Sequence, residues 1–90
     1  MQKKKIKITN QLGINARHAT SLVNVAMDYE SNITLSSHKK NVDLKSIMGV
    51  MSLAVQYGAV VEITCDGANE EIAMDALIDK IIELKIGKEV

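Results

Sequence analysis

The sequence has no proline, no tryptophan and no phenylalanine, and only one cysteine and one arginine. A lone cysteine, Cys65 in the apolar run "VVEITC", excludes an internal disulfide and reads as a buried thiol rather than a nucleophile, which suits a reducing cytoplasm. Excess charge of either sign is also missing, since 11 basic residues balance 11 acidic ones. Nothing in that balance calls for nucleic acid, and the cluster Lys3, Lys4, Lys5 and Lys7 is expected to solvate the first strand. No apolar run approaches the roughly 18 residues of a membrane span, and the charged N-terminus is unlike a signal peptide. Internal repeats and low-complexity segments are absent. What remains is 90 residues, 47% hydrophobic and 24% charged, the make-up of one globular domain over residues 1–90.

Within that domain the hydrophobic period changes along the chain. "KKKIKIT" alternates Ile6 and Ile8 with Lys5 and Lys7 and predicts a strand with one buried face. After Gly13, the spacing of Ala16, Ala19, Leu22, Val23, Ala26 and Met27 predicts a helix capped at Asn15 or Ala16. Residues 32–44 read as a hairpin turning at "HKKN". In "KSIMGVMSLAVQYG", Ser46 is a good N-cap, and Ile47, Val50, Met51 and Ala54 keep helical spacing until Gly58 closes the segment. Gly49 weakens this helix and predicts a short one. "AVVEITC" suits a central strand. A last helix is predicted after a cap at Asn69, with Ile72, Ala76, Leu77, Ile81 and Leu84 on one face. The order βαββαβα predicts an α/β (α+β) open-faced sandwich: a four-stranded, mainly antiparallel sheet covered on one face by three helices.

Chemistry concentrates in "LGINARHAT", Leu12 to Thr20. A turn from Gly13 straight into a helix leaves backbone N–H groups pointing outward, a ready anion site. Arg17 in the first turn opposes the helix dipole, a cost of about 0.3–1 kcal/mol that an anion would reverse, and its planar fork suits phosphate or carboxylate. Spacing alone favours the plainer reading, with Arg17 a solvated surface residue and His18 a packing or capping residue. Acylphosphatases also combine an arginine, an asparagine and an anion loop, but their spacing differs from this one.

"GINARHAT" closely resembles the active-site motif of the histidine-containing phosphocarrier protein family, HPr, of the bacterial phosphoenolpyruvate sugar phosphotransferase system. That motif reads G-(I/L)-H-A-R-P-A. "KSIMGVMSLAVQYGAVVEI" resembles the regulatory serine region of the same family, so the likeness covers essentially the whole chain and implies the HPr fold. Two departures stand out: Asn15 occupies the place of the phosphoryl-accepting histidine, and His18 that of the proline. Imidazole nitrogen is a nucleophile near neutral pH, whereas the amide lone pair of asparagine is delocalised. Asn15 can cap and hydrogen-bond but cannot carry. His18 is a weak substitute, since it lies about 300° around the helix axis from residue 15 and catalytic placement tolerates only about 0.5 Å.

The resemblance also bears on Ser46. Its composition allows two readings, a plain cap above a core of Ile47, Val50, Met51 and Leu53, or a modified serine in an adaptable apolar patch of Ile47, Met48 and Met51. In relatives, the matching serine is phosphorylated by HPr kinase/phosphorylase, and the product binds catabolite control protein A. A chain that keeps the serine and lacks the histidine resembles the Crh-like (catabolite-repression HPr-like) type, although Crh relatives generally carry glutamine at the position of Asn15. The resemblance thus implies a regulatory protein, not an enzyme, with Ser46 as phosphorylation site and Asn15, Arg17, Ile47, Met48 and Met51 as the anion- and partner-binding surface. The alternative is a phosphocarrier using His18 or serving a divergent enzyme I, with sugar-specific enzyme II components as further partners. No metal or other cofactor is expected, nor any direct contact with nucleic acid or membrane insertion. An exposed edge at the first strand would permit exchange between protomers and with it a homodimer, which the sequence leaves open.

Overall fold

A computed structural model describes residues 1–90 as β1 (Gln2–Ile8), α1 (Ala16–Met27), β2 (Asn32–Ser37), β3 (Lys40–Asp43), α2 (Ile47–Ser52), β4 (Val60–Asp66), α3 (Glu70–Glu83) and β5 (Gly87–Glu89). The strands form one sheet in the order β3-β2-β4-β1-β5, and every neighbouring pair is antiparallel. β4, the run of β-branched residues, occupies the centre as its composition predicts. Its inward residues Val61, Ile63 and Cys65 face Ile6 of β1 and Leu35 and Ile33 of β2 in register. The helices close over that row, and 21 buried residues make one apolar cluster between sheet and helices. No helix is long and apolar enough to cross a membrane.

The sheet has five strands rather than the expected four. β5 is three residues long, and its one buried residue, Gly87, carries no side chain, so no hydrophobic period announces it. Glycine is required there, because a Cβ would lie 2.4 Å from the Lys7 carbonyl oxygen.

Four helix details also depart from expectation. α2 stops at Ser52, well before Gly58, because Leu53 ends the helix and Ala54 turns to a positive φ of 48°, so Ala54 is exposed beyond the helix. Its short length agrees with the weakness expected from Gly49. Asn69 stands at the α3 start but adopts φ 60° and makes no side-chain cap; instead a Glu70 carboxylate oxygen accepts the Gly67 N–H at 3.1 Å. The buried stripe of α3 is Ala73, Met74, Leu77, Ile78 and Ile81, while Ile72 is exposed and Ala76 half-buried. That helix carries apolar residues on both sides, so spacing alone could not fix which face turns inward. Met27, likewise expected on the inner face of α1, is exposed at the helix end.

Candidate functional site

Gly13 sets up the start of α1. Its φ is +70°, and a Cβ on it would sit 2.1 Å from the Val55 carbonyl oxygen. This contact lets the Ile14 N–H donate to that same oxygen at 3.2 Å, tying the turn before α1 to the segment leaving α2. Asn15 follows with an extended backbone, and its Oδ1 accepts the His18 N–H at 2.8 Å. It is therefore the N-cap, and its acceptor oxygen is engaged by the helix.

The backbone N–H groups of Ala16 and Arg17 have no partner in the fold, and both residues are exposed. No acidic residue stands in the first turn of α1 to neutralise them. Arg17 makes no ion pair, so its guanidinium and two free amides converge on solvent at the positive end of a 12-residue helix. This arrangement can hold a phosphate or carboxylate. The Asn15 amide is unreactive, and of the two His18 ring nitrogens Nδ1 is buried without a hydrogen-bond partner, which leaves Nε2 as the one nitrogen open to a phosphoryl donor.

Ser46 caps α2, its Oγ accepting the Gly49 N–H at 3.0 Å. A Cβ at Gly49 would lie 3.2 Å from the Ser46 Oγ, so the capping hydroxyl would have to shift by a few tenths of an ångström. Asp43 shapes the approach: its carbonyl accepts the Ser46 N–H at 3.0 Å and its Oδ1 the Lys45 N–H at 2.9 Å. The Lys45 Nζ in turn donates to the Tyr29 carbonyl at 2.6 Å. Sequence patterning had not singled out Asp43; an acid two residues before a lysine and three before a capping serine is a turn signal that could have revealed it.

Of the α2 side chains only Val50 is buried; Leu53 is half-buried, and Ile47, Met48 and Met51 are exposed by 41%, 84% and 40%. The core reading of Ile47 and Met51 is thereby set aside. The far end of α2 docks on the turn before α1, so Ser46 stands one α2 length away from it, about 9 Å for six residues at 1.5 Å rise. The surface thus holds two N-terminal helix ends with exposed thioether and aliphatic groups along the helix between them. Leu12 and Tyr57, exposed by 78% and 64%, stand on the two loops that Gly13 joins. Tyr57 went unnoticed in the sequence, where being one of only two aromatic residues was its sole signal.

The family model described as the PTS HPr component phosphorylation site matches residues 2–83. A phosphocarrier protein HPr from Xylella fastidiosa is 43% identical over 77 residues, 86% of each chain. Among solved structures, a histidine-containing phosphocarrier protein from Mycoplasma superposes with a TM-score of 0.94 at 34% identity, covering 96% of this chain and 98% of its own. Crh of Bacillus subtilis, described as a swapped dimer, superposes at 0.73 with 35% identity over 92% of this chain and 95% of its own. Identity to Crh, 35%, falls within the 34–43% found for these phosphocarriers, and overall likeness does not separate the two types.

Proposed function

The chain belongs to the HPr family, whose members are phosphocarriers of the sugar phosphotransferase system and not enzymes, and on that premise we propose that this member is regulatory. In this reading HPr kinase/phosphorylase phosphorylates Ser46, and the product binds catabolite control protein A as a corepressor in the cytoplasm. No phosphoryl group passes through residue 15. The observation that carries the proposal is Asn15: where the family accepts the phosphoryl group, this chain has an amide whose Oδ1 is bonded to the helix it caps. Enzyme I and the sugar-specific enzyme II components, the family's other partners, then have nothing to exchange with it.

The proposed step is a simple transfer. The Ser46 Oγ attacks the terminal phosphorus of ATP, the bond to the bridging oxygen breaks, ADP departs, and the hydroxyl proton passes to a base of the kinase. The product brings a charge of roughly −1.5 to −2 to the positive end of α2, so modification leaves the fold in place and changes the surface. A partner then meets a phosphate beside Ile47, Met48 and Met51, with the Arg17 guanidinium farther along the same surface. Thioether side chains adapt readily to a second protein.

Incubation with HPr kinase/phosphorylase and ATP tests the proposal. One phosphoryl group on Ser46, with regulator binding that depends on it, supports it. Failure of Ser46 to gain mass, or a gain without effect on binding, removes it. An acid-labile phosphoryl group transferred from enzyme I and lost in His18→Ala would establish the carrier reading instead.

A further inference from the structure

The other face of the sheet has no helices and carries a second concentration of charge. Because Ile6 and Ile8 point into the core, alternation turns Lys3, Lys5 and Lys7 outward, about 7 Å apart along β1. Lys88 of β5 stands directly opposite Lys7 in the register. Like charges in that relation destabilise a sheet. Across the sheet, the β2–β3 turn is made by His38 and Lys39, with φ values of 50° and 66°. Such a turn is unstrained with Asn-Gly and costs stability with two bulky side chains.

Between these two sides lies a groove of about 420 Å³ lined by Lys5, Ser36, His38, Lys39, Val60 and Glu62. None of Lys5, Lys7, Lys39, Lys40 or Lys88 belongs to any of the three ion pairs in the fold. Glu62, opposite Lys5 in the register, pairs with none of them. Although the chain is neutral overall, five of its 11 acids lie on α3, in the opposite layer, and leave this corner cationic.

We propose that this corner is a binding site for a small polyphosphate. Its cations flank the groove from β1 and from the β2–β3 turn, two strand spacings or about 10 Å apart. One phosphate cannot reach both sides, whereas a chain of two or three can. The groove is shallow and open to solvent, which suits an extended chain of phosphates lying along it. It has no Trp, Tyr or Phe in its lining, and its single ring, His38, stands beside Lys39 at the turn, so the phosphates are the feature that the surrounding cations recognise. Glu62, opposite Lys5 in the register, offsets one of these charges, and the cations on the two sides outnumber it. Lys88 and the strained turn, each a cost to the free protein, are explained by the anion they attract.

Amide NMR titration at physiological salt tests this, with inorganic tripolyphosphate, ATP and orthophosphate as separate probes. Expected are saturable shifts at Lys5, Ser36, His38, Lys39 and Val60 with tripolyphosphate, and at least tenfold weaker binding of orthophosphate. ATP binding as tightly as tripolyphosphate, or more tightly, marks a nucleotide as the source; clearly weaker ATP binding marks an inorganic chain. The double variant Lys5→Gln, Lys39→Gln should weaken binding at least tenfold, leave shifts at Ala16 and Arg17 unchanged, and match the fold of Lys80→Gln. Lys88→Thr separates ligand from fold: it should raise the urea midpoint by relieving the charge opposition and still weaken binding. Shifts confined to Ala16 and Arg17, shifts that never saturate, or unchanged affinity in the double variant would overturn the proposal.

Discussion

Replacing Gly13 with alanine probes the joint on which the α1 end of the site is built. The new Cβ would fall 2.1 Å from the Val55 carbonyl oxygen and 2.9 Å from the Gln56 Cα, both backbone atoms that cannot rotate away. Three costs combine. A left-handed conformation penalises alanine by about 1–2 kcal/mol. Prying the loops apart weakens the Ile14 N–H to Val55 bond, about 0.5–1.5 kcal/mol. Crowding in a packed region adds about 1–3 kcal/mol. A loss of about 3–5 kcal/mol is expected, against a total of roughly 5–13 kcal/mol for a domain of this size. Urea unfolding followed by circular dichroism should show the midpoint falling by about 2 M or more. Amide spectra of the surviving folded fraction should show movement at Ile14 to His18 and at Val55 and Gln56. A loss below about 1 kcal/mol, with Ala16 and Arg17 unmoved, would refute the idea that this contact positions the start of α1.

Further substitutions separate capping from chemistry. Ser46→Ala should cost about 1 kcal/mol in urea unfolding through the lost cap and abolish modification by the kinase, whereas Ser46→Asp should keep the cap and still accept no phosphoryl group. Gly49→Ala, whose Cβ presses on the Ser46 Oγ, should slow phosphorylation of Ser46 without unfolding α2, read as the initial rate of mass gain. Asn15→His should gain an acid-labile phosphoryl group from enzyme I and phosphoenolpyruvate that the parent chain lacks. Burial pushes the Cys65 thiol up from its ordinary value, with the Glu70 carboxylate adding to the effect. Labelling of that thiol at pH 8 should therefore be slow in native buffer and fast in urea, and rapid native labelling would show that β4 opens locally.

The parts of this structure that the sequence disclosed are those where burial and chemistry repeat over several residues. β1, β4 and the inner stripe of α1 follow from Ile6 and Ile8, from the β-branched run, and from Ala19, Leu22, Val23 and Ala26. Both caps at the site, Asn15 and Ser46, were legible because short polar side chains before an apolar period have few other roles. What escaped depended on distant backbone. Gly87 makes β5 possible only because it meets the Lys7 carbonyl, a partner 80 residues away. The rotation of α3 was decided by its neighbours, since Ile72 and Ile82 are as apolar as the residues buried beside them. Likewise the early end of α2 reflects Ala54 taking a positive φ, which no residue type at that position advertises. Asp43 and Tyr57 became visible at the site only once the loops were placed.

The central claim is that phosphoryl chemistry resides on Ser46 and has left residue 15. Intact-mass measurement after exposure to each donor in turn tests it most directly: HPr kinase/phosphorylase with ATP, then enzyme I with phosphoenolpyruvate. The account predicts one phosphoryl group from the kinase, located on Ser46 and stable to acid, and none from enzyme I. A phosphoryl group from enzyme I, or an unmodified Ser46 after the kinase reaction, would contradict it.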